Sequence, residues 1–302
     1  MRANSCWFIG SRWSTASCWL VAIWGLIALM LAGVSVAQPR PTAPQTVEIP
    51  SGNLRLKAYL WTPSGRGPFP AVLFNHGRSD TPQQHWKRGT LTAAADVVGP
   101  VFARHGYVLL FPFRRGEGLS ADQGQFVGDL LQQEESAHGV DARMHLQVTL
   151  LTTDQLNDGL ASLSFLKNLR QVDVNRIAVV GHSFGGQLTL LEAERDSSVR
   201  AAVTFGAAAG SWDRSEEVRS RTLAAVDKII VPVLFLHTAN DYSVAPGKSL
   251  AGEMARLSKP CVLKIYPAIG ESASDGHNFL YTNVSLWEND VFGFLDEHTK
   301  RR

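Results

Sequence analysis

Apolar residues in this chain cluster in short unbroken runs, separated by stretches with helical spacing. Residues 71–75, 107–111, 177–180, 199–205, 231–237 and 262–266 are such runs, as expected of strands buried on both faces. Between them, residues 92–105 have helical spacing and end at His105-Gly106, where the glycine suits a C-cap. Residues 153–169 bring Leu156, Leu160, Leu163 and Leu166 near one helix face. Residues 187–193 continue as a helix, and residues 287–298 repeat the spacing with Val291, Phe292 and Leu295. Ahead of all these, residues 46–49 and 54–61 alternate and flank the turn Ser51-Gly52-Asn53, which predicts an antiparallel hairpin. Strands alternating with helices predict an α/β fold: a mostly parallel sheet with helices on both faces and an N-terminal antiparallel hairpin. No internal repeat or dividing linker interrupts residues 46–302, so they are expected to form one domain.

Two segments fit this alternation poorly. Residues 114–150 are long, polar and rich in glutamine; residues 207–228 combine Trp212 with a charged amphipathic stretch. Each is read either as solvated surface structure or as a lid or pocket wall, the usual use of long insertions after strands.

The N-terminus changes the picture of charge and location. Arg2 and Arg12 give a basic start, residues 19–36 are almost wholly apolar, and Ser35-Val36-Ala37 offers small residues before Gln38-Pro39. This predicts a signal peptide over residues 1–37 and a Pro-rich linker over 38–45. The competing reading is an uncleaved anchor, since the apolar run is barely long enough to span a bilayer. Either way the domain is expected to be exported, secreted or periplasmic. Without the leader the chain keeps 29 − 2 = 27 basic residues against 27 acidic ones. That balance argues against a nucleic-acid partner and against a membrane surface for the mature domain. The composition, 45% hydrophobic and 19% charged, suits a globular protein with a large core. Cys6 and Cys18 lie in the leader, which leaves Cys261 alone, read as a small buried residue before a strand.

The run at 177–180 leads into Gly181-His182-Ser183-Phe184-Gly185-Gly186, and the helical pattern follows directly. A serine between glycines on a sharp strand-to-helix turn has the layout of a nucleophile elbow. Side chains two positions away would clash in so tight a turn, and the Phe184 amide would open the helix, available to a developing oxyanion. A serine hydroxyl needs a base, and the base needs an orienting acid. Asp241 follows the run at 231–237, and His277 follows the run at 262–266, in Asp275-Gly276-His277. Both fall at carboxyl ends of strands, the edge where open α/β sheets bind ligands. Glu271 or Asp275 could supply the acid instead of Asp241. Among the histidines, His182 lies inside the elbow, pointing away from the nucleophile, and His237 ends a strand, where a core role is expected.

Taken together, Asn75-His76-Gly77, Arg115-Gly116-Glu117-Gly118-Leu119-Ser120, Gly181 to Gly186, Asp241 with Val244, and Gly276-His277 resemble a serine α/β-hydrolase. The resemblance covers residues 46 to 298 and points to the dienelactone hydrolase-like and prolyl-oligopeptidase-like branches. It departs from dienelactone hydrolases at the nucleophile, which is cysteine there and Ser183 here. It implies Ser183 as nucleophile, His277 as general base and acid, and Asp241 as the residue that orients His277. It further implies an oxyanion hole from the Phe184 amide and a second amide in the loop after Asn75-His76-Gly77. That second donor is assigned to Arg78, with the register of loop 77–84 open by one residue. Residues 115–118 resemble a turn common in these hydrolases, although Arg114 or Arg115 could meet a substrate carboxylate. Trp212 is read either as a wall of the acyl site or as packing under the lid segment. His138 and His145 are too far apart along a helix to share a metal ion, and no nucleotide-binding fingerprint occurs. The expected chemistry needs neither cofactor nor metal.

These readings predict an exported esterase acting through an acyl-enzyme on a small-molecule or polymeric ester. Two alternatives stand beside it. One is a peptidase of the prolyl-oligopeptidase type, disfavoured because those enzymes usually carry a large N-terminal propeller and little precedes the hydrolase pattern here. The other is a non-catalytic binding protein on a hydrolase fold.

Overall fold

A computed structural model describes residues 43–79 and 90–300. The signal peptide and most of the linker, expected over residues 1–45, therefore lie outside the described residues. So do residues 80–89, which include part of the expected oxyanion loop 77–84. Among the described residues no helix is long and apolar enough to cross a membrane.

The chain begins with the antiparallel pair β1 (Gln45–Ser51) and β2 (Leu54–Trp61), then β3 (Phe69–Asn75), α1 (Leu91–Arg104) and β4 (Val108–Pro112). Helices α2 (Val127–His138), α3 (Val140–Thr152) and α4 (Asp154–Lys167) precede β5 (Val172–His182). Next come α5 (Phe184–Arg195), β6 (Ala201–Phe205), α6 (Glu216–Lys228), β7 (Val233–Thr238), α7 (Ala245–Arg256) and β8 (Cys261–Tyr266). The short α8 (Ala273–His277) and α9 (Phe279–Thr282) lead to the closing α10 (Val284–Thr299).

The strands form one eight-stranded sheet in the order β1-β2-β4-β3-β5-β6-β7-β8. The β1–β2 and β2–β4 pairs are antiparallel and the rest are parallel. This is the expected α/β architecture, with the antiparallel part extended to β4. Alternate side chains feed two cores. Leu73, Leu110, Val179 and Phe235 pack on one face with Leu163, Leu188, Val226 and Met254 from α4, α5, α6 and α7. Phe74, Phe111, Val180 and Leu236 pack on the other with Phe102 of α1 and Trp287 of α10. Both faces are thus covered, which is why the strands read as continuous apolar runs.

The order β4-β3-β5 makes β3 a switch point: the chain leaves it on one side and returns on the other. Crevices for ligands open at such points beyond the carboxyl ends of the strands. The register pairs Asn75 with Gly181, so the loop after β3 lies beside the elbow after β5.

Three local differences from the sequence reading have physical causes. Strand β5 starts at Val172, because residues 172–176 remain extended although Asp173, Val174 and Asn175 are largely out of the core. The polar stretch 114–150 contains helices α2 and α3. In α2 only Val127 and Leu131 are buried, too sparse a stripe to announce a helix. Helix α7 follows the acid loop unforeseen, its start marked by Pro246 within the first turn.

Candidate active site

Strand β5 ends in a sharp turn at Ser183, whose φ of 54° and ψ of −115° are unusual for a residue with a side chain. Such a conformation costs on the order of 1–3 kcal/mol, and the sheet holds it in place. Ser183 N–H donates to Phe205 O of β6 at 2.8 Å. A Cβ on Gly185 would stand 2.1 Å from Asn75 O, and one on Gly181 would stand 2.3 Å from Gly185 O. The two glycines are therefore required by close approach of backbone. Phe184 opens α5, so its N–H is one of the first-turn donors that a helix leaves unmatched.

The candidate acid and base, Asp241 and His277, meet across the ends of β7 and β8. His277 Nδ1 donates to Asp241 Oδ1 at 2.6 Å. Tyr242 N–H donates to the same oxygen at 2.7 Å. The other oxygen, Oδ2, accepts from His237 Nδ1 at 2.8 Å. A carboxylate only accepts, so both imidazoles carry a proton on Nδ1. Asp241 and His277 are both buried. Burial alone would raise the Asp241 carboxyl; the bonds from His237 and His277 outweigh it and hold the group well below the usual carboxylate range. His182 is buried in the elbow, and its Nε2 lies 2.9 Å from His277 O, tying the segment that carries His277 to the strand that leads into Ser183. The Tyr242 ring packs 4.8 Å from the His277 ring.

The other candidate acids are used locally. Asp275 accepts from Ser272 Oγ at 2.8 Å in the capping box of α8, and Glu271 is exposed. His237 is buried as expected, but its bond to Asp241 was missed. Its place four residues before the acid, at the end of the same strand, is the signal that could have revealed it.

The loop after β3 rests on a buried cation. Arg114 Nη1 donates to His76 O at 2.7 Å, and Nη2 donates to Gly77 O at 3.0 Å. Nη2 also lies 3.1 Å from Glu117 Oε2, an ion pair with both side chains buried. Glu117 Oε1 in turn accepts from Ser79 N–H at 3.2 Å. His76 Nδ1 lies 2.7 Å from Gly77 O and 3.0 Å from Arg114 Nη2, so the ring packs between the carbonyl and the guanidinium. The Gly77 backbone also hydrogen-bonds the buried Tyr281 hydroxyl. Burial pushes the Arg114 guanidinium down from its ordinary value, opposed chiefly by Glu117.

Ser183, His277, Phe184, Gly77 and Arg78 line one cavity of about 600 Å³, which brings the candidate triad serine and base together with both candidate oxyanion residues. Arg143, Met144 and Gln147 of α3 form part of its wall, as do Ala208 to Ser211, Asp213 and Arg214. Both segments that fit the alternation poorly thus contribute to the pocket. Trp212 does not: it is buried in the core beside α6 and belongs to the packing alternative. Neither Arg114 nor Arg115 reaches the cavity. Arg115 instead pairs with Asp154 at 2.7 Å and Asp158 at 2.8 Å, which makes its turn structural. His138 and His145 bind Glu134 and Glu217, and no group of metal-ligating side chains forms among the described residues. Cys261 is a half-buried free thiol at the start of β8, raised by burial.

Comparison with known proteins places this geometry. The quorum-quenching protein AidA of Acinetobacter baumannii is 27% identical over 165 residues, covering 54% of this chain and 44% of that protein. Among solved structures, acylaminoacyl peptidase of Pyrococcus horikoshii aligns with a TM-score of 0.59 at 16% identity, over 92% of this chain and 44% of the peptidase. Est1E of Butyrivibrio proteoclasticus, solved with ferulic acid bound, aligns with a TM-score of 0.58 at 19% identity, over 84% of this chain and 100% of Est1E. The chain therefore spans less than half the length of AidA and of the peptidase, and the structural likenesses establish a common fold. The model of the dienelactone hydrolase family matches residues 56–283, three quarters of the sequence. The chain belongs to the dienelactone hydrolase family.

Proposed function

We propose that the protein is an exported serine hydrolase that cleaves a carboxylic ester through an acyl-enzyme. The observation that carries this reading is the 2.6 Å bond from His277 Nδ1 to Asp241, made beside a cavity that His277 shares with the strained Ser183. Ser183 Oγ attacks the ester carbonyl as His277 Nε2 takes its proton, and Asp241 holds the imidazole tautomer and stabilises its cation. The amides of Phe184 and Arg78 receive the oxyanion; loss of one such donor typically costs ~3 kcal/mol of transition-state stabilisation. His277 then returns the proton to the leaving alcohol and activates the water that releases the acid. Export rests on the leader alone.

The cavity wall favours a compact, polar acyl group. Arg78, Arg143 and Arg214 line the space with Gln147 and Gln187, and Met144, Phe184 and Tyr242 supply its large apolar surface. The test is hydrolysis of p-nitrophenyl esters of increasing acyl length, with Ser183→Ala as control and a simple lactone, an internal ester, in the panel. Turnover should be highest for the shortest acyl groups and absent in the variant. Wild type equal to the variant on every ester would end the esterase reading. Turnover of an aminoacyl anilide in its place would favour a peptidase.

A further inference from the structure

The catalytic groups of an oxyanion hole are backbone N–H bonds, and something must aim them. In this chain the peptide between Gly77 and Arg78 is trans, since the cis bond found among the described residues is Gly67-Pro68. A trans peptide directs its C=O and its N–H to opposite sides. Whatever holds Gly77 O therefore sets the direction of Arg78 N–H. Gly77 O is turned into the protein interior, where Arg114 Nη2 donates to it and His76 Nδ1 lies 2.7 Å away. The Arg78 N–H is turned the other way, at a residue that lines the cavity with Ser183.

The same guanidinium reaches further. Its Nη1 holds His76 O, which fixes the preceding peptide as well. Its carbon lies 5.5 Å from the centre of the Phe184 ring, so it packs on the residue that supplies the other donor. One buried side chain thus touches both halves of the hole without entering the cavity. Cooperativity adds to aim: a C=O that accepts a hydrogen bond from a cation polarises its peptide and makes the N–H a better donor.

We propose that Arg114 is the positioning residue of the oxyanion hole, holding Arg78 N–H in direction through the Gly77 carbonyl and seating Phe184 through its ring. This rests on the serine-hydrolase reading above. A role limited to pairing with Glu117 would stabilise the fold and leave the chemical step alone. Positioning acts on the transition state, where the oxyanion exists, and so affects kcat.

Arg114→Lys keeps the charge but cannot span both carbonyls. With p-nitrophenyl acetate its kcat should fall about 100-fold, the loss of about one oxyanion donor, while KM stays within about threefold. Affinity for a trifluoromethyl ketone, whose adduct with Ser183 carries the oxyanion, should fall by the same factor as kcat/KM. An unchanged kcat, a loss confined to KM, or an unchanged ketone affinity would each overturn the proposal. Circular dichroism and thermal unfolding report whether the variant folds. If it does not, Arg114→Met with Glu117→Gln removes both buried charges together, and wild-type kcat in that pair overturns the proposal equally. Absence of Ser183-dependent turnover in the wild type would instead remove the hydrolase reading itself, a result separate from any of these.

Discussion

The two ends of the candidate catalytic cleft are built on opposite electrostatic plans. At the acid end a single carboxylate, Asp241, sits among three donors: His277, Tyr242 N–H and His237. Two imidazoles and one amide satisfy it, and it stays ionised. At the oxyanion end a full cation, Arg114, is buried against Glu117 and two carbonyls. The difference follows from what each end must place. The acid end positions a side chain, and hydrogen bonds to one carboxylate suffice. The oxyanion end positions peptide planes, which a rigid, forked, permanently charged donor can grip at several carbonyls at once.

Crowding at the acid end gives the largest expected effect. Gly206 follows β6 at a φ of 58°, and a Cβ there would stand 2.9 Å from the His277 ring and 3.0 Å from Asp241 Oδ2. Gly206→Ala should displace the His277–Asp241 pair and lower kcat about 100-fold, the usual cost of a misplacement near 1 Å. Steady-state kinetics on a short ester check this. A variant with unaltered kcat would mean that the acid end tolerates displacement, and the contrast between a rigid acid end and a gripped oxyanion end would fail.

How legible each end is in the sequence follows the same divide. Ser183, Asp241 and His277 stand out because each is a chemically distinctive residue at the carboxyl end of an apolar run. The sheet itself was legible for a related reason: strands buried on both faces are continuous apolar words. Arg114 reads in the sequence only as a candidate partner of a substrate carboxylate, because the groups it serves are backbone atoms with no residue identity. Only the Arg114–Glu117 spacing of three hinted at a pair. His237 was hidden differently. A histidine closing a buried strand is adequately explained by packing, and its bond to Asp241 depends on how the acid loop folds back. Helices α2 and α3 were obscure because their buried positions are few and partly serve the cavity, where Gln147 and Met144 do not form an apolar stripe.

The third donor on Asp241 can be removed without touching the base. His237→Phe fills the same space and deletes the Nδ1–H, and His237→Asn restores a donor at nearly the same point. A hydrogen bond to a charged group contributes roughly 1.5–3 kcal/mol, so kcat/KM should drop about 10-fold or more in the Phe variant. The Asn variant should recover most of that loss. Equal activity in the two variants would show that ring packing matters and the bond does not, leaving Asp241 with two effective donors.

A second buried carboxylic acid, at the oxyanion end, completes the contrast, and its effect falls on stability and leaves the rate alone. Glu192 of α5 is fully buried beside Gly159 and takes one bond, from Asn75 Nδ2 at 2.7 Å, while its Oε1 has no hydrogen-bond partner. Burial pushes its carboxyl up from an ordinary 4.5 to about 8, against the pull of Asn75 and Arg114. Asp241 with three donors is held charged; Glu192 with one is held protonated. Because the folded value is raised, the unfolded chain releases this proton first as pH rises. The stabilising contribution is complete below pH 4.5 and is lost as pH climbs through about 8. The slope over that window is at most ~1.4 kcal/mol per pH unit. Glu192→Gln supplies a neutral side chain of the same shape at every pH. Urea unfolding at pH 5 should give nearly equal midpoints for variant and wild type. By pH 8 the wild type should have lost stability that the variant retains. Parallel curves across that range would mean that Glu192 is ionised in the folded protein, and that Arg114 holds a second carboxylate besides Glu117.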